Sequence, residues 1–386
     1  MPLDKKNKKI LFITPYPEKM APGQRFRFEQ YFELLVDNSI SYQTASLLDS
    51  KTYSILYAQG RFFSKFKGVF VGVVSRILLL FKINSYDRIF IFREVFPVGP
   101  PIFEWLIAKV LRKKIIYDFD DAIWLEDPVE KNSFKALIKW KSKVGKICKW
   151  SYQVSVGNNY LGDFASKHNK NVVVNPTTID TKGLHNPSLC LSLQETGARN
   201  NILGTKRITA LDKVGITLTK PIIGWTGTHS TLQYLKPIIP VLKRLEEKYK
   251  FEFVVIANKN PELQLRSFRF VPWNKESEIE DLIKIDIGIM PLTDDNWSQG
   301  KCGFKLLQYM ALKKPALASP IGVNSEIIEE GVNGYLCGSE QDWYHSLELL
   351  INDAEMRINM GKKGRKKIIE KYSVISNQAN FLSLFE

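Results

Sequence analysis

The chain has 386 residues, 44% of them hydrophobic, which suits two cored domains at about 100–200 residues each. A formal net charge of +15 points to an anionic partner: a membrane surface, a nucleic acid or a phosphorylated substrate. Four scattered cysteines, without a CxxC pair or metal-ligand spacing to the four histidines, argue against a disulfide framework and a metal site, and fit a reducing cytosol. Met1–Lys9 is polar and basic and lacks the apolar core of a signal peptide. No run reaches the ~20 apolar residues that span a bilayer. The expected setting is cytoplasmic, with a peripheral place on the inner face of a membrane as an option.

Lys9–Thr14 is a short apolar run of the kind that forms a buried parallel strand. Pro15 and Pro17 break it, Ala21–Gln24 forms a loop, and Arg25–Leu35 reads as a helix with Phe28, Tyr31, Phe32 and Leu35 on one face. Strand, glycine loop, helix is the opening unit of a nucleotide-binding type of α/β domain. Arg61–Lys82 holds five basic residues, no acid and a dense apolar run. Two readings compete there: a helix packed on the sheet, or an interfacial helix seated in anionic lipid. Arg88–Phe92 follows as a strand.

Lys114–Tyr117 leads into Asp118, Asp120 and Asp121, at the end of a strand, where open α/β sheets place ligands. Such carboxylates can orient acceptor hydroxyls or act as a base, and mutual repulsion is expected to raise some of their pKa values. Helix capping is the plainer alternative. Lys131–Lys149 has seven lysines and no acid, with Leu137, Trp140, Val144 and Ile147 at helical spacing. It reads as a basic amphipathic helix, either docked on anionic lipid or simply solvated on one face. Gln153–Val156 is a strand. Residues 181–220 are polar and turn-rich.

A second α/β series opens at Ile222. Its first strand enters a glycine turn, Thr226-Gly227-Thr228, whose N–H and hydroxyl groups suit diphosphate oxygens. His229 reads as a turn residue more readily than as a catalyst. Thr231–Tyr249 is a helix, Phe251–Ala257 a strand, and Phe270–Trp273 ends another. After the strand Ile285–Pro291 comes a polar loop. Gly300 and Gly303 then open a helix, roughly Gly303–Leu312, with Lys305 in its first turn. A glycine loop entering a helix N-terminus after a parallel strand is a ready anion site. An ordinary connection with a surface lysine remains the alternative. Trp343–Leu350 is a helix with Leu347 and Leu350 inward.

The run Lys305–Ala311, then Lys314-Pro315, Gly322, Glu326, Gly331 and Gly334, resembles the donor-site block of the group 1 glycosyltransferases, the retaining enzymes of glycosyltransferase family four. Val172–Asp180 resembles the segment that closes that family's first domain. The resemblance implies an α/β GT-B fold: two Rossmann-like domains facing across a deep cleft, with a C-terminal helix crossing back to the first. The boundaries expected are 1–184 for the acceptor-side domain, 185–220 for a linker, 221–360 for the donor domain and 361–386 for the crossover helix. The family's two glutamates, seven residues between them, correspond here to Gly300 and Gln308.

The resemblance also implies site residues. Donor contacts are expected from Gly300, Lys301, Gly303, Phe304, Lys305 and Gln308, from Thr226, Gly227 and Thr228, and from Gly23 and Arg25 in the first loop, with Arg27 near them. Val271 and Trp273 are candidates for the nucleobase. Lys305 is the expected catalytic cation. The implied partners are a nucleotide-sugar donor and a glycan or lipid-linked acceptor, with no cofactor and no metal. Two other readings stay open. One is a GT-B epimerase or phosphorylase. The other is a basic membrane or nucleic-acid binding module, although no nucleic-acid motif with interleaved aromatics is visible.

Overall fold

A computed structural model describes residues 8–56, 60–125, 140–189 and 220–386. The chain divides into two compact units. The first holds the described residues of Met1–Thr178 together with Asp295–Cys302 and Asn377–Glu386. The second holds those of Ile179–Asp294 and Gly303–Ser376. This division departs from the sequence boundaries at three places. Ile179 bridges to Ser373 in the second unit, 361–376 stay there with it, and Asp295–Cys302 joins the first. Most of the expected linker, 190–219, and the lysine-rich stretch 131–139 lie outside the described residues.

The first unit is built on six parallel strands: β1 (Lys8–Thr14), β2 (Ile40–Ser46), β3 (Arg88–Phe92), β4 (Lys114–Phe119), β5 (Gln153–Val156) and β6 (Val172–Val174). Their order is β2-β1-β3-β4-β5-β6. Ile10–Ile13 and all of β3 are buried, as covering a parallel sheet on both faces requires. One face carries an aromatic cluster in which Phe12 meets Phe28, Phe32, Phe90 and Phe385. The other carries Leu11, Ile13, Ile89, Ile91 and Tyr117 under the helices Phe62–Lys82 and Lys143–Trp150.

The helix expected over Arg25–Leu35 is broken into Pro22–Arg25, a 3-10 turn Glu29–Tyr31 and Phe32–Asp37. Its four core residues are nonetheless all buried. The break coincides with Arg27, whose side chain turns into the sheet instead of following the helix surface.

The second unit carries β7 (Ile222–Gly227), β8 (Glu252–Ala257), β9 (Phe268–Pro272), β10 (Ile287–Met290), β11 (Ala316–Ala318) and β12 (Gly334–Leu336). All pair in parallel, in the order β12-β11-β10-β7-β8-β9. This is the doubly wound order, with its reversal between β7 and β10. The segment after β7 is a long 3-10 helix, His229–Ile238, leading into the α-helix Ile239–Lys248. Pro237, which has no N–H to give, sits at that change of pitch. Leu347 and Leu350 are fully buried from helix Glu340–Asn352.

Candidate active site

In an open parallel sheet, ligands bind beyond the carboxyl ends of the strands where the strand order reverses. In the second unit that point lies between β7 and β10. The two loops leaving it are the glycine turn at Thr226–Thr228 and the segment that enters helix Phe304–Ala311. These two sequence signals, far apart in the chain, therefore sit side by side.

The turn after β7 is tied down from within. The Thr226 N–H donates to the Tyr309 hydroxyl at 3.0 Å. Thr228 and Thr231 form a capping box, with the Thr228 N–H donating to Thr231 Oγ1 at 3.1 Å. The His229 N–H donates to Asn258 Oδ1 at 2.7 Å and its ring meets Asn258 Nδ2 at 3.2 Å, which holds it as a loop residue.

The other loop ends at Gly303, the N-cap, with φ +67°. A left-handed residue there lets the chain turn sharply into the helix, a conformation that glycine adopts without steric cost. The Lys305 ammonium lies 5.4 Å from the ring centre of Trp225 on β7, so the lysine leans across the reversal point. Burial pushes the Tyr309 hydroxyl pKa well up, so it stays protonated under the turn it supports.

Gln308 is buried, and its Nε2 donates to Glu278 Oε1 at 3.3 Å. Glu278 lies on the neighbouring helix Glu278–Ile283. Val271 and Trp273 lie at the carboxyl end of β9, the edge strand, with β8 standing between it and β7. Val271 is half-buried and pairs with Ile256.

The carboxylates of the first unit are not a bare acidic cluster. Asp118 is fully inside the sheet, in a forked ion pair with Arg27 (Nε to Oδ2 3.2 Å, Nη2 to Oδ1 2.5 Å). Ser155 donates to the same carboxylate at 2.5 Å, and Arg27 also donates to the Asn175 carbonyl. Asp118 and Arg27 are thus joined as a buried ion pair.

Asp120 and Asp121 share Arg93, which has left-handed backbone geometry (φ 61°) at the end of β3. Arg93 donates to Asp120 at 2.9 and 2.7 Å and to Asp121 at 2.7 Å, while Lys301 reaches Asp121 at 2.8 Å. Burial pushes the Asp120 carboxyl up, and the Asp121 charge adds to the rise against the pull of Arg93. Burial also opposes the charge on Asp121, yet Lys301 and Arg93 hold its carboxyl below the ordinary value. The expected mutual repulsion therefore raises only one of the pair. Interleaved cations, brought in from elsewhere in the chain, account for the difference.

Gly23 touches this network: a Cβ built on it would stand 3.3 Å from Asp120 Oδ2 and 3.8 Å from Arg93 Nη2. Arg25 stacks its guanidinium on Phe26 at 4.9 Å. Lys301 is committed to Asp121, and Gly300 packs against Ala122, both within the first unit. The donor block of the sequence is therefore divided. Gly300 and Lys301 belong to the first unit, while Gly303, Phe304, Lys305 and Gln308 belong to the second. Sequence reasoning missed Arg93 and Glu278, and included Tyr309 only as part of the Lys305–Ala311 run, without its bond to Thr226. Only Arg93 carried a signal, being the residue directly after a strand at the first sheet's own reversal, between β1 and β3.

The fold defines a class: two parallel α/β sheets of the GT-B type. Solved structures sharing it over nearly their whole length include a sucrose-phosphate synthase from Thermosynechococcus elongatus (TM-score 0.65, 10% identity, 98% of each chain). Another is HepE from Anabaena, solved with UDP and glucose (TM-score 0.60, 14% identity, 97% of this chain and 99% of that one). A family model described as "Glycosyl transferases group 1" matches residues 207–367, most of which lie in the second unit. A curated relative, a poly(ribitol-phosphate) alpha-N-acetylglucosaminyltransferase from Staphylococcus aureus, is 34% identical over 86 residues. That match covers 22% of this chain and spans 17% of the relative's length. Among the described residues, no helix is long and apolar enough to cross a membrane.

Proposed function

We propose that the chain transfers a sugar from a nucleotide-sugar donor to a hydroxyl of a glycan or lipid-linked saccharide, with retention and without a metal, in the synthesis of a cell-surface polysaccharide. The observation that carries this reading is the meeting of the Thr226–Thr228 turn, the N-terminus of helix Phe304–Ala311 and Lys305 at one strand-order reversal. A helix N-terminus and an ammonium side by side are suited to a diphosphate. They would stabilise the charge that develops as the bond from the anomeric carbon to the diphosphate oxygen breaks. The new bond forms at the acceptor oxygen, whose proton leaves with the nucleoside diphosphate.

In this reading Gln308, braced by Glu278, meets donor hydroxyls in place of the family's second glutamate. Gly23, Arg25 and the Arg93–Asp120–Asp121 network serve the acceptor side, with Arg93 setting the orientation of both carboxylates. A uridine nucleotide is the first donor to test, because HepE was solved with UDP. The Staphylococcus aureus relative acts on a phosphate-rich polymer by its name, and a net charge of +15 suits an anionic acceptor.

The test is thermal melting against UDP, GDP, ADP and their sugar conjugates, followed by turnover with the donor that binds. Ligand that binds only the native state raises the melting temperature with its concentration. Lys305→Ala is expected to remove the shift and to lower turnover by about 10²–10³, the usual loss for one donor aimed at developing negative charge. A wild-type shift that Lys305→Ala leaves intact, with normal turnover, would overturn the reading.

A further inference from the structure

Helix Phe62–Lys82 buries Gly72 and Arg76 and leaves its phenylalanines outward. Gly68, Gly72 and Arg76 recur at four-residue spacing and so line one face. A Cβ on Gly68 would stand 2.1 Å from Thr52 Oγ1, and one on Gly72 would stand 2.2 Å from the Leu47 carbonyl oxygen. The helix backbone itself therefore lies against the first unit. Arg76, 2% exposed, donates to the carbonyls of Thr14 at 2.7 Å, Ala45 at 2.8 Å and Val95 at 3.3 Å. These contacts fix the rotation of the helix.

With that rotation set, Phe62, Phe63, Phe66, Phe70 and Phe81 are 60–86% exposed. Soluble proteins rarely leave a contiguous apolar face of this size in water. A second short helix over the same core also exposes apolar residues. Phe103 packs on the same core face as Leu79 and Leu80, and on its short helix Ile102 and Trp105 are 57% and 45% exposed. An indole at the edge of an apolar face suits the headgroup region of a bilayer.

Charge decides which partner covers it. From Ser50 to Tyr86 there are six basic residues and no acidic one. Lys67 and Lys82 are exposed beside the phenylalanines. A helix with an apolar arc and cationic flanks, too charged to span, lies in the plane of an anionic interface. Its 21 residues extend over about 30 Å, a length that a flat surface can accommodate along the whole helix.

We propose that helix Phe62–Lys82 seats the first unit on an anionic phospholipid surface. Its phenylalanine face lies at the boundary of headgroups and acyl chains, and Lys67 and Lys82 meet lipid phosphates. The inference rests on the first unit alone and stands apart from the donor site.

The test is co-sedimentation of the full chain with phosphatidylcholine vesicles made with and without phosphatidylglycerol. Three proteins are compared: wild type, Phe63→Ser/Phe66→Ser/Phe70→Ser, and Lys67→Gln/Lys82→Gln. All these positions are exposed, so unchanged melting and unchanged donor binding serve as folding controls. Wild type is expected to bind the anionic vesicles, less at high salt. The phenylalanine variant should bind them at least about tenfold more weakly. Each lysine removed should cost about fivefold. Absence of wild-type binding, or equal binding by the phenylalanine variant, would overturn the proposal. So would sedimentation equilibrium showing a wild-type dimer that the phenylalanine variant dissociates, with neither protein binding vesicles; the face would then cover a second copy of the chain.

Discussion

Gly300 stands so close to Ala122 that a Cβ built on it would lie 2.7 Å from the Ala122 methyl carbon and 2.9 Å from its backbone nitrogen. Position 300, which the resemblance matches to a glutamate, has no room for a side chain. The segment Asp295–Cys302 is closed onto the end of β4 instead, held by the Lys301–Asp121 pair and by the Cys302 thiol donating to the Asp120 carbonyl at 3.1 Å. A Cβ on Gly157 would stand 2.2 Å from Cys302 Sγ and 3.5 Å from Asp120 Cα.

Restoring the glutamate is therefore expected to harm the protein. Gly300→Glu should destabilise by about 1–3 kcal/mol, the usual cost of overpacking a close contact. Turnover should fall rather than rise. Thermal melting and a donor-saturated rate measurement check both. A gain in turnover without loss of stability would show that the segment opens freely.

Gly303 combines a left-handed backbone with a tight neighbour: a Cβ added to it would stand 2.2 Å from Ile327 Cδ1. The isoleucine tip can move, but the φ of +67° cannot relax without redirecting the helix. Gly303→Ala should cost about 1–2 kcal/mol, and Gly303→Asn, which tolerates this region better, should cost less. If the N-terminus of this helix holds the donor diphosphate, nucleotide affinity should follow the same order. Calorimetric titration with the nucleotide that shifts melting checks it.

The Arg27–Asp118 pair is buried on both sides, at 1% exposure each. Removing one partner leaves the other charged and unsatisfied, so Arg27→Met should destabilise by about 3–5 kcal/mol. Arg27→Met combined with Asp118→Leu should cost clearly less than the sum of the two single changes. Urea unfolding of the four proteins measures the coupling. Additive losses would mean that the two residues do not act as one unit.

Thiol titration sets an alkaline limit. Burial pushes Cys148 and Cys337 up to about 12 and raises Cys302 as well. An unfolded thiol ionises near about 8.5, so above that pH the unfolded chain releases protons that the folded chain keeps. The stability these thiols contribute is complete below about 8.5 and is lost progressively as the pH climbs toward the folded values. Denaturant midpoints should fall from pH 8.5 upward, less steeply in Cys148→Ala. At pH 8, alkylation of these three cysteines should be slow in the native state and fast after unfolding.

The sheet strands were the most legible part of the sequence. Strands covered on both faces are written as apolar runs, and Lys9–Thr14, Arg88–Phe92, Phe251–Ala257 and Ile285–Pro291 each contain or overlap an observed strand. The edges were harder. β2 alternates in burial, and β12 has only three residues. The helix predicted over Arg25–Leu35 failed at Arg27 because its partner, Asp118, is 91 residues away and no local pattern announces it. The same applies to the acidic run. Asp118, Asp120 and Asp121 are adjacent in sequence, but the cations that take them up come from Arg27, Arg93 and Lys301. The glycine block around Lys305 was legible as a turn into a helix. Its bracing by Tyr309 and Glu278 was not, since both contacts follow from sheet order and not from spacing.

The first unit's aromatic cluster includes residues from the far end of the chain. Phe381 stacks on Tyr31 with ring centres 4.2 Å apart, Phe385 meets Phe12 and Phe90, and all five rings are buried. Lys8 donates to the Phe385 carbonyl at 2.7 Å. During synthesis, all six strands of that sheet leave the ribosome some two hundred residues before the side chains that close one of its faces. Until those side chains emerge, the nascent chain presents Phe12, Tyr31 and Phe90 as an open apolar surface, the state in which a chaperone would find the most to hold.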